Sequence, residues 1–262
     1  FSDYLSPGPV LPYSCADGCY WNKCNFCPDR AEGRPYNAGK PTTAVGQAKS
    51  LVSLYNPILI HFLDNGLSPG LLRELIAQPP GAPWYGFARI EKELGNPDYC
   101  RNLKKSGCVM LKLGIESGSQ KVLDAMDKGI ELNLVSAALK NLKAAGVATY
   151  VYLLFGTPYE EKTDAEQTLS FTREHQGYIN YLNLAIFNMP VCSPEATGIP
   201  HRFSDGDLAL YCDFHHPHGW DRKSVRHFLQ HHFKKDQAIN RIIQRDPLFF
   251  TSNHAPLFVP VY

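Results

Sequence analysis

The sequence lacks an excess of charge of either sign: 26 Lys and Arg stand against 25 Asp and Glu, a formal net charge of +1 over 262 residues. Bulk attraction to nucleic acid or to an anionic membrane surface is therefore not expected. No apolar run reaches membrane-spanning length, and no charged start leads into the apolar core of a signal peptide. The chain also lacks an initiating Met and opens on Phe1, so an upstream region is expected to be missing from it. Cysteine is unevenly spread, eight in all. Cys15, Cys19, Cys24 and Cys27 crowd together, while Cys100, Cys108, Cys192 and Cys212 are scattered singly. A secreted disulfide scaffold is short and cysteine-dense throughout. A cytoplasmic protein is expected instead, with the scattered four as small buried hydrophobes.

What is present is enough for a large core: 44% of the chain is hydrophobic and 19% charged, a globular balance. Six β-rich runs recur along it: Val10–Ser14, Ile58–Leu63, Trp84–Ile90, Val109–Ile115, Ala148–Phe155 and Tyr181–Phe187. Between them lie helical stretches, among them Thr43–Tyr55, Ser68–Gln78, Pro97–Gly107, the run "ELNLVSAALKNLKAAG" and Asp164–His175. Alternation of this kind predicts an α/β fold of parallel strands with right-handed crossovers. An open doubly wound sheet and a full or partial (β/α) barrel both fit. We expect the partial, six-stranded TIM-like barrel over residues 1–190, and a C-terminal extension over residues 191–262 that packs on it. That extension is rich in His, Pro and aromatics, and its best helical stretch is Asp221–Arg245. In either fold, ligands bind at the C-terminal ends of the strands, where the cysteine loop at 15–28 follows the first strand.

The loop reads Cys15-x3-Cys19-x4-Cys24-x2-Cys27. Four thiolates can close a tetrahedral zinc site, although structural zinc usually takes two separated pairs. An iron–sulfur cluster accepts closely spaced thiolates on one loop. Ligation of all four irons suits electron transfer, while ligation of three leaves one iron open.

"GCYWNKCNFCP" resembles the cluster loop of the radical S-adenosylmethionine superfamily, with Phe26 in the aromatic place before the last cysteine. The family usually has C-x3-C-x2-C; here one extra residue separates Cys19 from Cys24, a variant of the subset linked to cobalamin-binding domains. Three further segments carry the resemblance. "LDNG" (Leu63–Gly66) stands where the family places polar groups for the amino group of S-adenosylmethionine. "LGIESGSQKVLDAMDKGI" (Leu113–Ile130) is similar to its fourth-strand segment, and "LLFGTPYEEKTDAEQTL" (Leu153–Leu169) to its G-x-P-x-E stretch. Such segments are typical of the elongator-type and methylthiotransferase-type branch.

The resemblance implies that Cys19, Cys24 and Cys27 hold a 4Fe–4S cluster whose open iron is chelated by S-adenosylmethionine. One electron then cleaves the C–S bond, and the 5′-deoxyadenosyl radical takes a hydrogen atom from substrate. It implies Asp64 and Asn65 for the amino group, Glu116 for the ribose, Ser117 near the methionyl end, and Gly156 for close approach of the nucleoside. A serine role at position 118 does not apply, because the residue between Ser117 and Ser119 is Gly118. Cys15 is read as a bystander. A reductant such as flavodoxin or ferredoxin is implied, and the substrate is a small molecule or peptide of unknown identity. A cobalamin domain in the missing region would suggest methyl transfer or a rearrangement.

Other readings stand beside these. Asp64 suits a cap of the helix near Ser68, Ser117 and Ser119 suit caps of the helix after them, and Gly156 before Pro158 suits a turn. Lys128 reads as a solvated helix end, and Arg89 as a group able to meet a cofactor or substrate anion at the barrel mouth. His227 and His231 lie four apart, but no carboxylate stands in an H-E-x-x-H position. The segment Arg245–Phe258 reads as a cover across the barrel or over the substrate pocket. Two further functional readings are a non-catalytic metal or electron-transfer protein using all four clustered cysteines, and an inactive chain that only binds S-adenosylmethionine.

Overall fold

The computed structural model describes residues 5–203, 209–249 and 251–259; Phe1, Phe250 and the outer ends of both expected domains lie outside them. Six parallel strands form one sheet in sequential order: β1 (Val10–Tyr13), β2 (Leu59–Phe62), β3 (Trp84–Ala88), β4 (Cys108–Glu116), β5 (Ala148–Phe155) and β6 (Tyr181–Ile186). The register runs Val10↔Leu59, Ile60↔Trp84, Tyr85↔Met110, Met110↔Ala148 and Tyr150↔Tyr181. Sequential parallel strands joined by right-handed crossovers place the helices on one face and curl the sheet. The result is the expected partial barrel, with β1 and β6 as its two edges.

The crossovers are α1 (Pro41–Tyr55), α2 (Pro69–Ala77), α3 (Pro97–Lys105), α4 (Gln120–Ala125) with α5 (Leu132–Ala145), and α6 (Lys162–Glu174). Alternate strand residues face the helices: Leu111, Leu113 and Ile115 of β4 join Leu139 and Leu142 of α5 in the main core. The residues between them face the barrel interior, as the two-residue period of a strand requires. The lower interior is a second core of Leu59, Tyr85, Met110, Ala148 and Tyr150.

Start signals place the helices. Ser68 accepts from the Leu71 N–H at 3.2 Å and caps α2, and Asn96 accepts from the Asp98 N–H and caps α3. The expected start of the first crossover helix at Thr43 moves back to Pro41, whose missing N–H suits the first helical position. Of the four scattered cysteines, Cys100, Cys108 and Cys212 are buried, but Cys192 is exposed.

Beyond β6 the chain adds a small antiparallel sheet of β7 (Met189–Pro190), β8 (His201–Phe203) and β9 (Tyr211–Phe214), in the order β8-β9-β7. The single helix expected over Asp221–Arg245 is instead α7 (Arg222–Phe228), a π-turn at Leu229–Phe233, and α8 (Gln237–Ile243). Asp236 is the reason: its carboxylate accepts from the N–H groups of Ala238 and Ile239 and so starts a new helix. Trp220, Val225, Phe228, Phe233, Ile239 and Ile242 belong to the main core, and Ala255 and Val259 to the interior one. The extension is thus built into the barrel on both faces of the sheet. Among the described residues no helix is long and apolar enough to cross a membrane.

Candidate functional site

The cysteine loop leaves β1 and is closed at its base by the pairing of Ala16–Asp17 with Asn37–Ala38. It docks on the turn that follows α4. The Asn25 N–H donates to the Met126 carbonyl at 2.9 Å, Asn25 Nδ2 to the Ala125 carbonyl at 3.1 Å, and Trp21 Nε1 to the Asp127 carbonyl at 3.1 Å. The indole lies against Gly129, which has φ +65°; a Cβ there would come within 2.2 Å of Trp21 Cζ2. Only glycine combines that backbone angle with that contact.

Docked this way, Cys19, Cys24 and Cys27 all line one cavity of about 440 Å³ at the C-terminal ends of the strands. Asn65, Phe87, Arg89, Gly114, Glu116, Lys128 and Tyr152 line it with them. Cys24 is buried, with Arg89 Nη1 3.9 Å from its sulfur. Burial raises the Cys24 thiol pKa, opposed by the nearby charges of Lys128 and Arg89. Burial likewise raises Cys27, while the N–H groups of Arg30 and Asp29 pull it down. Arg89 is itself buried. It donates to the Lys128 carbonyl at 2.6 Å, meets Glu91 at 3.4 Å, and stacks its guanidinium 4.1 Å from the Trp21 ring centroid. It fastens the cysteine loop to the mouth of β3.

Glu116 ends β4 at φ +69°, where a bulge interrupts the pairing with β5. Bulges of this kind re-aim a side chain. The carboxylate meets Lys128 Nζ at 2.8 Å, with both side chains largely buried. Lys128 is therefore not a solvated helix end: the turn at Asp127–Gly129 folds it inward over Phe26. Gly114 makes room, because a Cβ there would stand 2.4 Å from Glu116 Oε1 and 3.0 Å from Lys128 Nζ.

The remaining candidates are placed elsewhere. Asp64 is buried and accepts from the Cys15 N–H at 3.1 Å, from the Ala16 N–H, and from the Cys15 thiol. Burial, and then the Asp64 carboxylate, push the Cys15 thiol well above its ordinary range. Neither Asp64 nor Cys15 lines the cavity; together they anchor the start of the loop to the end of β2. Asn65 donates to Asp29. Ser117 is fully buried against Thr168, whose hydroxyl lies 3.2 Å away, and accepts from the Ser119 N–H.

Position 118 holds no serine and offers no hydroxyl to a cofactor. The Gly118 N–H instead donates to Thr168 Oγ1 at 2.9 Å. A Cβ there would stand 2.7 Å from both Thr168 Cα and Phe171 Cβ, so a serine side chain does not fit against α6. Gly118 is thus a packing position and does not line the cavity. Gly156, at φ +77°, donates to Glu160, which also accepts from Trp220 Nε1 at 2.9 Å. The site brings together Cys19, Cys24, Cys27, Asn65 and Glu116. It does not bring Asp64, Ser117 or Gly156 to the cavity wall.

His227 and His231 pack ring against ring at 4.5 Å between centroids. His227 belongs to a surface cavity of about 660 Å³ lined also by His218, Trp220, Lys223 and His232. Among the described residues no three metal-ligating side chains close on a single-ion site.

The chain belongs to the radical S-adenosylmethionine superfamily, whose family model matches residues 13–172. That match is to the superfamily, not to one of its branches. Residues of this chain are 25% identical over 167 positions to an anaerobic magnesium-protoporphyrin IX monomethyl ester cyclase of Rubrivivax gelatinosus, covering 61% of this chain and 30% of the relative. They are 25% identical over 164 positions to an uncharacterized methyltransferase of Pyrococcus horikoshii, covering 60% and 35%. Among solved structures, the radical S-adenosylmethionine methyltransferase TsrM from Kitasatospora setae superposes with a TM-score of 0.66. The identity is 15%, and the match covers 84% of this chain and 50% of that one. The chain spans about a third of the length of the two curated relatives.

Proposed function

We propose that this chain is the catalytic core of a radical S-adenosylmethionine enzyme, with Cys19, Cys24 and Cys27 as the protein ligands of a 4Fe–4S cluster. The observation that carries this reading is the convergence of those three thiols, Asn65 and Glu116 on one cavity at the strands' C-terminal ends. The residues fit the group. Three thiols of one loop line a single cavity, and a cluster, whose irons are spread over the corners of a cube, accepts closely spaced thiolates of that kind. The fourth, Cys15, is engaged by Asp64.

When bound, such a cluster supplies the electron that cleaves S-adenosylmethionine to a 5′-deoxyadenosyl radical. The chain's own residues do the rest. Arg89 and Lys128 place positive charge beside Cys24. Glu116 is aimed into the cavity by its bulge, and Lys128 takes its Oε1, so its second oxygen is available to accept from the ribose hydroxyls. Asn65 is the cavity-facing group for the amino end of the cofactor, with Asp64 and Gly156 acting through the loops they hold. Phe87 and Tyr152 form an apolar wall that keeps water from a reactive radical.

TsrM binds cobalamin as well as a 4Fe–4S cluster. With the C-x4-C-x2-C spacing, this supports cobalamin-linked methyl transfer or rearrangement as the reaction of the whole protein. The electron donor is of the flavodoxin or ferredoxin kind. Three thiols that must stay reduced suit the cytoplasm.

The test is anaerobic reconstitution with iron and sulfide, reduction with dithionite, and detection of 5′-deoxyadenosine by mass. We expect product from the wild type and from Cys15→Ala, and none from Cys19→Ala, Cys24→Ala or Cys27→Ala. Equal loss of the cluster in all four variants would instead support a closed four-cysteine site.

A further inference from the structure

Beneath the cysteine cavity the barrel interior holds a cation that no carboxylate of the described residues answers. Lys112 lies on β4 two residues before Gly114, on the same interior face, and is 2% exposed. Its Nζ stands 3.4 Å from His61 Nε2 and 3.3 Å from Asn253 Oδ1. The ring centroids of Tyr85 and Phe87, neighbours on one face of β3, each lie 5.1 Å away. Every one of these neighbours is uncharged; burial lowers His61 to a pKa of about 4, so its imidazole is neutral. Among the described residues no ion pair reaches Lys112.

Packing does not call for a lysine here. The next interior position down the strand is Met110, in a cluster of aliphatic side chains and tyrosine rings without a charge, and an apolar side chain at 112 would fill the same space without the desolvation of an ion. Burial lowers the Lys112 pKa to about 8, so at neutral pH most of the charge is still kept against that cost, and a charge so kept points to a counter-charge that arrives from outside. One neighbour of the amine can give way: Asn253 is exposed on the C-terminal segment, and its amide oxygen is a neutral acceptor that an anionic oxygen can displace. The walls are aromatic. His61 stacks on Tyr85 at 4.3 Å, and Phe87 meets Tyr152 at 5.0 Å. Phe87 and Tyr152 also line the cysteine cavity, so these rings stand between that cavity and the buried amine.

We propose that Lys112 is the receptor for the carboxylate of the enzyme's substrate, a monoanionic organic acid with an apolar or aromatic body. The carboxylate replaces Asn253 Oδ1 at the amine. The body lies along Phe87 and Tyr152 and turns its C–H bonds toward the cysteine cavity. A single ammonium among neutral groups balances one negative charge, which favours a carboxylate over a phosphate dianion. This rests on the cavity being the cofactor site, but it can be read without a cofactor.

The test uses the cofactor-free chain and benzoate as probe, with benzamide as its neutral counterpart. The lysine Cε resonances are followed by NMR in protein labelled at lysine, and Lys112 is assigned by its absence in Lys112→Met. Benzoate should shift the Lys112 signal saturably and benzamide should not. Lys112→Met, which removes the charge and keeps the bulk, should weaken benzoate binding at least tenfold. Asn253→Ala should bind benzoate at least as tightly as wild type, and serves if Lys112→Met fails to fold. An unmoved Lys112 signal, equal binding by Lys112→Met, or loss of binding in Asn253→Ala would each overturn the proposal. Benzoate at Lys112 with no 5′-deoxyadenosine from reconstituted protein would overturn the functional reading alone; the reverse result would overturn this inference alone.

Discussion

Glu116 and Lys128 show how much of the site turns on single contacts. Their pair is largely buried, so removing one partner strands the other charge. Lys128→Met is expected to destabilise the fold by about 3 kcal/mol in urea unfolding, with Lys128→Arg recovering most of the loss. A change within experimental error would mean that Glu116 is solvated and not held by Lys128. The sequence displays both residues and hides the pairing, because it depends on a left-handed Glu116 and on the inward turn at Asp127–Gly129. The same is true of Asp64 and Cys15, which meet across 49 positions. Either looks available for chemistry until the contact is seen.

At the scale of elements, the cysteine loop and the turn after α4 form one unit. Gly129→Ala would drive a Cβ into the Trp21 ring. The barrel core does not depend on that contact, so the thermal midpoint should move by only a few degrees while the loop undocks. Undocking is read by a thiol reagent: Cys24, buried in the wild type, should become fast-reacting in Gly129→Ala. Unchanged thiol kinetics would show that Trp21 is not what docks the loop.

The turn after β5 is tied to the extension by Glu160, which accepts from both Gly156 and Trp220. Burial raises its carboxyl pKa from 4.5 to about 7. The folded state therefore holds this proton more tightly than the unfolded chain does. Stability from this source is full below about pH 4.5 and is lost as the pH rises through 7. Asp246, raised to about 6 by burial, acts in the same sense. Glu160→Gln keeps an acceptor and cannot ionise, so its unfolding midpoint should fall less steeply between pH 5 and 7 than that of wild type. An equal slope would assign the pH dependence to other groups.

For the whole molecule, the question is what fills a barrel with a gap between β1 and β6. Ala255 is fully buried among Tyr85, Met110 and Tyr150 in the lower interior. Ala255→Arg forces a long cation into that core, where no carboxylate of the cluster meets it. It should expel the C-terminal segment or unfold the chain, and either outcome appears as rapid proteolysis at the C terminus. Wild-type resistance in that variant would mean that the segment is not a necessary cover.

Strands and crossovers are determined by the sequence alone, because their signals are local: alternation of apolar residues, caps and proline starts. The sequence also crowds four thiols onto one loop, but that Cys19, Cys24 and Cys27 line the cavity and Cys15 does not is seen only in the fold. The helix expected over Asp221–Arg245 marks the edge of that legibility, where one capping aspartate inside a long helical stretch divides it. Tertiary structure alone decided which polar residues reach the cavity. It sent Asp64 to Cys15, Ser117 and Gly118 to Thr168, and Gly156 to Glu160. It folded Lys128 onto Glu116 and, among the described residues, left Lys112 without a counter-ion. These outcomes depend on distances between segments far apart in the chain. In a curled parallel sheet those distances are set by register and by the direction in which each strand end points, and neither is written in any one stretch of residues.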